Sequence, residues 1–186
     1  SARVRECLLI AAGHEPPSRS VGSTVVTRPL LKLKGGLNIT TGTVRLLRVL
    51  RATPGRVYRA FLDADAMAKW LPPHGFTGKV DHVDARVGGT YRMSFTNFST
   101  GASHSFGGEY VELVPGERIV HTDAFDDPNL PGQMEVEVSL KPVVCGTEVN
   151  ITQSGIPEMI PLEMCYLGWQ ESLAQLATLV EPDISG

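Results

Sequence analysis

The chain has 186 residues, 42% of them hydrophobic, and a formal net charge of −3, which fits one soluble domain of ordinary size with an extension. Residues 43–186 hold eleven Lys or Arg against eighteen Asp or Glu, and this acidic balance disfavours nucleic acid as a partner. No apolar run approaches the roughly 18 to 20 residues that a membrane-spanning helix needs, so no membrane span is predicted.

The beginning of the chain shows little amphipathic periodicity. Residues 1–42 contain the strings GHEPPSRS and KLKGGLN and carry six Lys or Arg against two acidic residues. We therefore expect an irregular basic extension over 1–42 and a folded domain over 43–182. The apolar piece STVVTRPLLKLK can still add a strand to that domain.

The cysteines indicate neither a disulfide framework nor a metal site. Cys7, Cys145 and Cys165 are odd in number, far apart and without a CxxC pair, so we expect buried or inert thiols. The stretch CLLIAAG is shorter than a usual secretory core, and a cytoplasmic location is predicted. The histidines show no HxH or HExxH spacing, and no metal or other cofactor is predicted.

A strand and two short helices open the domain. The string TVRLLRVLR has the β-branched and aliphatic content of a strand. Thr53 is a natural N-cap, and Pro54 suits the first turn of the helix that follows. Asp63 is expected to begin a second short helix, which ends at Trp70-Leu71 before a Pro-Pro pair.

Six alternating segments follow, divided by short stretches rich in turn residues. They are FTGKVDHVDARV, TYRMSFTN, SHSFGGEYVEL, RIVHTDAF, QMEVEVSLKP and TEVNITQS. Such short separators are typical of antiparallel hairpins. The first separator, Gly88-Gly89, precedes an alternating strand and not a helix, so we expect a two-residue primed turn there and no phosphate-binding loop.

The chain closes with a long amphipathic helix. In PLEMCYLGWQESLAQLATLVE the apolar residues recur with the 3.6-residue period. A curved antiparallel sheet needs its apolar face covered, and this helix is the only predicted element long enough to cover it. The predicted fold is therefore α+β, with about seven antiparallel strands wrapped around the C-terminal helix.

Five strings of the domain occur together in this order: VYRAFLDADAMAKWL, GFTGKVDHVDARVGGTYRMSF, GGEYVELVPGERIVHTDAF, GTEVNITQSGIP and GWQESLAQLATLVE. With the order of elements, they resemble the START-like (SRPBCC) helix-grip superfamily. Within it, the chain is similar to single-domain bacterial-type members of the family of activator of heat-shock protein 90 ATPase homologues. The resemblance implies a helix-grip fold with an elongated cavity between the sheet and the helix.

Strand alternation and helical periodicity predict which side chains face this cavity. Apolar residues of the middle strands should point at the apolar stripe of the C-terminal helix. Filled solid, this set is a core, and left partly hollow, it is a pocket for a small apolar ligand. The predicted ligand-binding residues are Tyr91, Met93, Phe95, Phe106, Met134, Val136, Val138, Tyr166, Trp169 and Leu173.

Several polar residues also lie within the predicted strands. Arg92 alternates away from the apolar face, so we expect it to face solvent and to pair with Asp81 or Glu109. His104 and His121 lie within strands, and outward placement is expected for both.

No catalytic residue is assigned. The sequence has no GxSxG elbow, and spacing alone assembles no Ser/His/Asp set. Surface or loop positions are expected for His74 and His82. If Arg92, His104 or Asp123 pointed into the cavity, recognition of a ligand carboxylate or acid–base chemistry would be favoured, because a buried charge persists only with a partner.

The predicted function is non-covalent binding of a small hydrophobic molecule, such as a lipid, an aromatic or a polyketide-like compound. Two alternatives remain open. One is an enzyme of the polyketide cyclase or hydrolase type that uses the same cavity. The other is a chaperone-interacting module of the heat-shock protein 90 ATPase activator type, which would use the outer surface.

Overall fold

The computed structural model describes residues 30–32 and 38–182 of the chain. Cys7 and most of the predicted extension lie outside the described residues. The strands are β1 (Leu30–Lys32), β2 (Asn38–Leu50), β3 (Phe76–Val83), β4 (Thr90–Asn97), β5 (Ser103–Val114), β6 (Arg118–Phe125), β7 (Met134–Val143) and β8 (Gly146–Pro157). The helices are α1 (Pro54–Ala60), α2 (Ala64–Trp70) and α3 (Leu162–Val180).

The described strands form one antiparallel sheet in the order β1-β2-β8-β7-β6-β5-β4-β3. The predicted α+β fold is confirmed: seven long strands, β2 to β8, are accompanied by two short helices after β2 and by one long C-terminal helix. The three residues of β1 come from the STVVTRPLLKLK segment and pair with the start of β2. No helix among the described residues is long and apolar enough to cross a membrane.

The two short helices begin where the sequence predicts. The Thr53 hydroxyl accepts a hydrogen bond from the backbone N–H of Arg56 and so caps α1. The Asp63 carboxylate accepts one from the backbone N–H of Ala66 at 2.9 Å and so caps α2. At the end of α2 the fully buried Trp70 donates its indole N–H to the carbonyl of Ala60 at 2.8 Å. This hydrogen bond joins the end of α2 to the end of α1.

The inward face of the sheet carries the predicted apolar residues. On β4, Tyr91, Met93 and Phe95 are all at least nine-tenths buried, and the inward residues of β7 behave in the same way. These are Met134, Val136, Val138 and Leu140.

The long helix packs unevenly on this face. In its second half Leu173, Leu176 and Val180 are buried, whereas in its first half Met164 and Trp169 are only partly buried. This difference marks where a cavity lies.

The predicted two-residue turn at Gly88-Gly89 is wrong. β3 ends at Val83 and β4 begins at Thr90, so a six-residue loop joins them, and only Gly88 has a left-handed φ, of +77°. The loop folds back on β5, because the Gly88 N–H donates to the Tyr110 carbonyl at 2.8 Å and the Tyr110 N–H donates to the Gly89 carbonyl at 2.9 Å. The alternating pattern of DARV resembles a continued strand, but the Asp84 N–H donates to the Thr90 carbonyl and the Arg86 N–H to the Asp84 carbonyl, and only the two glycines that follow bond to β5.

Candidate functional site

A cavity of about 180 Å³ lies between the sheet and the first half of α3. Residues of β4 to β8 form its base, and α3 together with the α1–α2 region closes it. Its walls are rich in aromatic side chains. These are Phe61, Tyr91, Phe95, Phe106, Tyr110, Phe125 and Trp169.

Seven of the ten predicted ligand-binding residues line this cavity. They are Tyr91, Met93, Phe95, Phe106, Met134, Val136 and Trp169. The other three lie elsewhere: Val138 and Leu173 belong to the solid core, where both are at most 2% exposed, and Tyr166 is half-buried on α3 outside the lining. That a ligand contacts the seven stays a prediction.

One wall of the cavity is polar. Alternation along β6 turns His121 and Asp123 to the same side as Phe125, and all three line the cavity. The Tyr91 hydroxyl of β4 lies 3.1 Å from His121 Nδ1 and donates to the Thr122 carbonyl at 3.2 Å. We call Tyr91, Tyr110, His121 and Asp123 the polar wall.

A glycine in β5 makes room for the polar wall. Gly108 is the Cα partner of Tyr91 in β4, and the register that pairs Gly107 with Ala124 also sets Gly108 opposite Asp123. Because Gly108 has no side chain, nothing stands between Tyr91 and the β6 residues. The hydroxyl of Tyr91 can therefore reach across β5.

Burial controls the protonation of the polar wall. It raises the pKa of Asp123 to about 7, although the nearby Tyr91 side chain and the Ala124 N–H act in the opposite direction. It lowers the pKa of His121 to about 4 and raises the pKa of Tyr110 to about 12. The pKa of Tyr91 lies well above its ordinary value, also mainly through burial. At neutral pH the histidine and both phenols are therefore uncharged, and only Asp123 is divided between its two forms.

Three buried polar atoms of the cavity lining have no hydrogen-bond partner among the residues that the structure describes. They are Asp123 Oδ1, Tyr110 Oη and His104 Nε2. Buried polar atoms almost always carry a partner in native proteins. Each of these atoms is covered by its neighbours, so a polar group of a bound molecule reaches it only by displacing part of the lining.

The outward placement expected for His104 and His121 is wrong, since both rings line the cavity. The reason is the phase of the strands. His104 shares its side of β5 with Phe106 and Tyr110, and His121 shares its side of β6 with Phe125. Burial also lowers the pKa of His104. The two-residue alternation that links each histidine to these apolar neighbours is the sequence signal for an inward position.

The other polar residues lie on the outside. Arg92 faces solvent as expected, but its ion-pair partner is Asp126, with Nη1 and Oδ1 3.0 Å apart, and neither Asp81 nor Glu109. His74 and His82 are exposed, as expected. Among the described residues no group of His, Cys, Asp and Glu is arranged to hold a metal ion.

The cavity wall on α3 combines an indole and a thiol. The Trp169 indole N–H donates to Gln153 Oε1 at 2.8 Å, which fixes the ring over the cavity. Burial raises the pKa of Cys165 to about 12, so its thiol stays protonated at neutral pH. Cys145 is exposed in the β7–β8 turn, and Cys165 is partly buried. That either thiol is inert stays a prediction.

Comparisons with known proteins agree with this architecture. The solved structure of the protein CV1439 from Chromobacterium violaceum matches this chain with 62% sequence identity and a TM-score of 0.75. The match covers 76% of this chain and 98% of that one. An AHSA1-like protein from Aeromonas hydrophila is 21% identical, with a TM-score of 0.63 and coverage of 75% and 92%. A protein from Rhodobacter sphaeroides is 19% identical, with a TM-score of 0.64 and coverage of 83% and 97%. The last two show likeness of fold alone.

The family comparison is more specific. None of the curated proteins matches the chain. The family described as Activator of Hsp90 ATPase homolog 1-like protein matches residues 51–181, a range that runs from the end of β2 to the end of α3. The chain therefore belongs to the Activator of Hsp90 ATPase homolog 1-like family.

Proposed function

We propose that this protein binds a small, mainly apolar ring compound in the cavity between the sheet and α3. The observation that carries the proposal is the lining of this cavity, in which aromatic walls surround a few buried polar atoms without partners. Ligand sites commonly have this composition, with apolar walls for affinity and a few polar groups for orientation.

The size of the cavity narrows the predicted ligand classes. Its volume of about 180 Å³ is below the range of roughly 300 to 1,000 Å³ that is usual for drug-sized ligands. A dry cavity of roughly 150 Å³ is nevertheless large enough for benzene. A compact aromatic compound is therefore favoured over a lipid or a polyketide-like molecule.

Thermal unfolding with a size series of ligands tests this proposal. A ligand that binds only the folded state raises the unfolding midpoint by mass action. We expect toluene and benzyl alcohol to raise the midpoint and to change the fluorescence of Trp169, and long-chain fatty acids to do neither. Trp169→Phe separates this signal from that of Trp70. A flat response to all single-ring compounds would contradict the proposal.

A pair of glycine variants locates the binding site. An added Cβ meets nothing within 4 Å at either Gly168, which lines the cavity, or Gly55, which is exposed in α1. We expect Gly168→Leu to fill the cavity and abolish ring binding, and Gly55→Leu to bind like the original chain. Equal binding by both variants would place the ligand elsewhere. Stimulation of a heat-shock protein 90 ATPase that is unaffected by Gly168→Leu would instead support the chaperone alternative.

The polar wall favours acid–base catalysis as a second candidate function. A carboxyl group with a pKa of about 7 is matched to proton transfer at neutral pH, and Tyr91 lies beside it. If the protein is such an enzyme, it should speed deuterium exchange at the carbon next to the carbonyl of a small aromatic ketone, and Asp123→Asn should abolish this. Exchange no faster than in buffer would count against an enzyme.

A further inference from the structure

We propose that the ring compound bound in the cavity carries a protonated amine and that the Asp123 carboxylate is its counter-ion. This inference rests on the proposed function, because it names the chemical class of the ligand for the same cavity.

Asp123 is the only carboxyl group among the described residues that line the cavity, and no Lys or Arg side chain lines it. A buried carboxylate is strongly disfavoured unless an opposite charge or hydrogen-bond donors compensate it. Asp123 Oδ1 has no hydrogen-bond partner within residues 38–182. A ligand ammonium group supplies both the missing positive charge and the missing donor.

The aromatic walls favour the same kind of ligand. The faces of Phe, Tyr and Trp rings attract cations through the ring quadrupole, most strongly where water is excluded. The rings of Tyr91 and Tyr110 lie next to each other in the polar wall, with centroids 5.5 Å apart. Tyr110 Oη also lacks a partner in the described part of the chain, so it is a second hydrogen-bond acceptor for an ammonium group in this wall.

The remaining polar groups do not suit an anion. Burial lowers the pKa of His121 to about 4 and also lowers the pKa of His104, so both rings are neutral at pH 7. A ligand carboxylate would meet the Asp123 carboxyl with no cation to balance either charge. The cavity should therefore select against anionic ring compounds.

Binding of an amine should depend on pH in a defined direction. Among the titratable groups, Tyr91 from β4 and Cys165 from α3 interact with the Asp123 carboxyl, and His121 shares its strand. The neighbouring cavity residues on β7 and β8 are Met134 and Gln153, which carry no charge. Because burial raises the pKa of Asp123 to about 7, amine binding should release a proton and strengthen from pH 6 to pH 8.

Four single-ring compounds of similar size test the proposal: benzylamine, benzyl alcohol, toluene and benzoate. Their dissociation constants are measured by calorimetry at pH 6, 7 and 8. At pH 8 we expect benzylamine to bind at least about 10-fold more tightly than toluene or benzyl alcohol, as one desolvated charge pair allows, and benzoate to bind most weakly. Asp123→Asn should reduce the affinity for benzylamine to that for benzyl alcohol. Asp126→Asn, on the outer surface beside Arg92, should retain the preference.

The possible results separate this inference from the proposed function. Equal binding of benzylamine and toluene, or an amine preference that survives Asp123→Asn, would overturn the inference and leave ring binding intact. Failure of all four compounds to bind would overturn both. If Asp123→Asn does not fold, the pH series on the original chain decides, because an amine preference that does not grow from pH 6 to pH 8 contradicts a role for the Asp123 carboxylate.

Discussion

At the scale of single residues, Asp123 and His121 carry opposite pKa shifts although they share one wall of the cavity. Burial disfavours the charged form of each group, so it raises the pKa of the carboxyl to about 7 and lowers that of the imidazole to about 4. Both side chains are therefore neutral in the folded protein near pH 5 to 6. The polar wall is polar without being charged in that range.

These shifts predict how stability varies with pH. Folded Asp123 keeps its proton up to about pH 7, whereas the unfolded carboxyl loses its proton near pH 4. The contribution of Asp123 to the stability of the folded state is therefore full below about pH 4 and is lost as the pH rises to 7. Folded His121 stays neutral down to about pH 4, whereas the unfolded ring takes up a proton near pH 6.5. Its contribution is therefore lost as the pH falls from about 6.5 to 4.

Two variants separate these opposing contributions. Relative to the original chain, Asp123→Asn should gain stability as the pH rises from 4 to 7, by on the order of 2 kcal/mol. His121→Gln should gain relative stability as the pH falls from 6.5 to 4. Urea denaturation at several pH values measures both trends. Differences that do not change with pH would contradict the burial of these groups.

At the scale of elements, two glycines of β5 let β4, β5 and β6 lie closer together than residues with side chains would permit. A Cβ added at Gly108 would lie 1.9 Å from the Thr122 carbonyl oxygen in β6, and one added at Gly107 would lie 2.3 Å from the Tyr91 carbonyl oxygen in β4. That Thr122 carbonyl is the one that accepts the Tyr91 hydrogen bond. The two glycines thus permit the close packing on which the polar wall depends.

Gly108→Ala should disturb this arrangement. The added methyl group must push β6 away from β5, so we expect a loss of stability of about 1 to 3 kcal/mol and weaker ring binding. Gly55→Ala is the matched control, because its Cβ meets nothing within 4 Å and should be neutral or slightly stabilising. Chemical denaturation measures both changes, and unchanged stability in Gly108→Ala would show that the strands separate at little cost.

The strands and loops also show how much of the fold could be predicted from the sequence. Alternation placed Tyr91, Met93 and Phe95 inside because each strand repeats every two residues. It failed over residues 84–89, where an alternating string forms a loop that bonds to β5. Whether the inward face is solid or hollow depends on volumes left by residues such as Gly108 and Gly168, and single-residue periodicity carries no information about such three-dimensional packing.

At the scale of the whole molecule, the uneven packing of α3 predicts uneven stability. Its second half is buried around Leu173 and Leu176, and its first half covers the cavity. Segments with fewer buried apolar contacts open locally at lower free energy. Amides of residues 164–168 should therefore exchange with solvent deuterium faster than those of residues 173–180.

A bound ligand should reduce this difference. A ring compound that fills the cavity contacts the first half of α3 and stabilises only its closed form. We expect toluene or benzylamine to slow exchange over 164–168 with little effect on the second half, as measured by mass spectrometry of peptides. In Gly168→Leu the same compounds should have no effect on exchange, and an equal effect in both chains would place binding outside the cavity.

The position of Cys165 gives the protein an internal chemical reporter. Its thiol lies in the cavity wall with a pKa raised to about 12, while Cys145 is exposed. Because only the thiolate is alkylated readily, iodoacetamide should mark Cys145 promptly and Cys165 slowly, and a bound ligand should slow only the second reaction. One digested sample can therefore give both the occupancy of the cavity and the reference rate needed to interpret it.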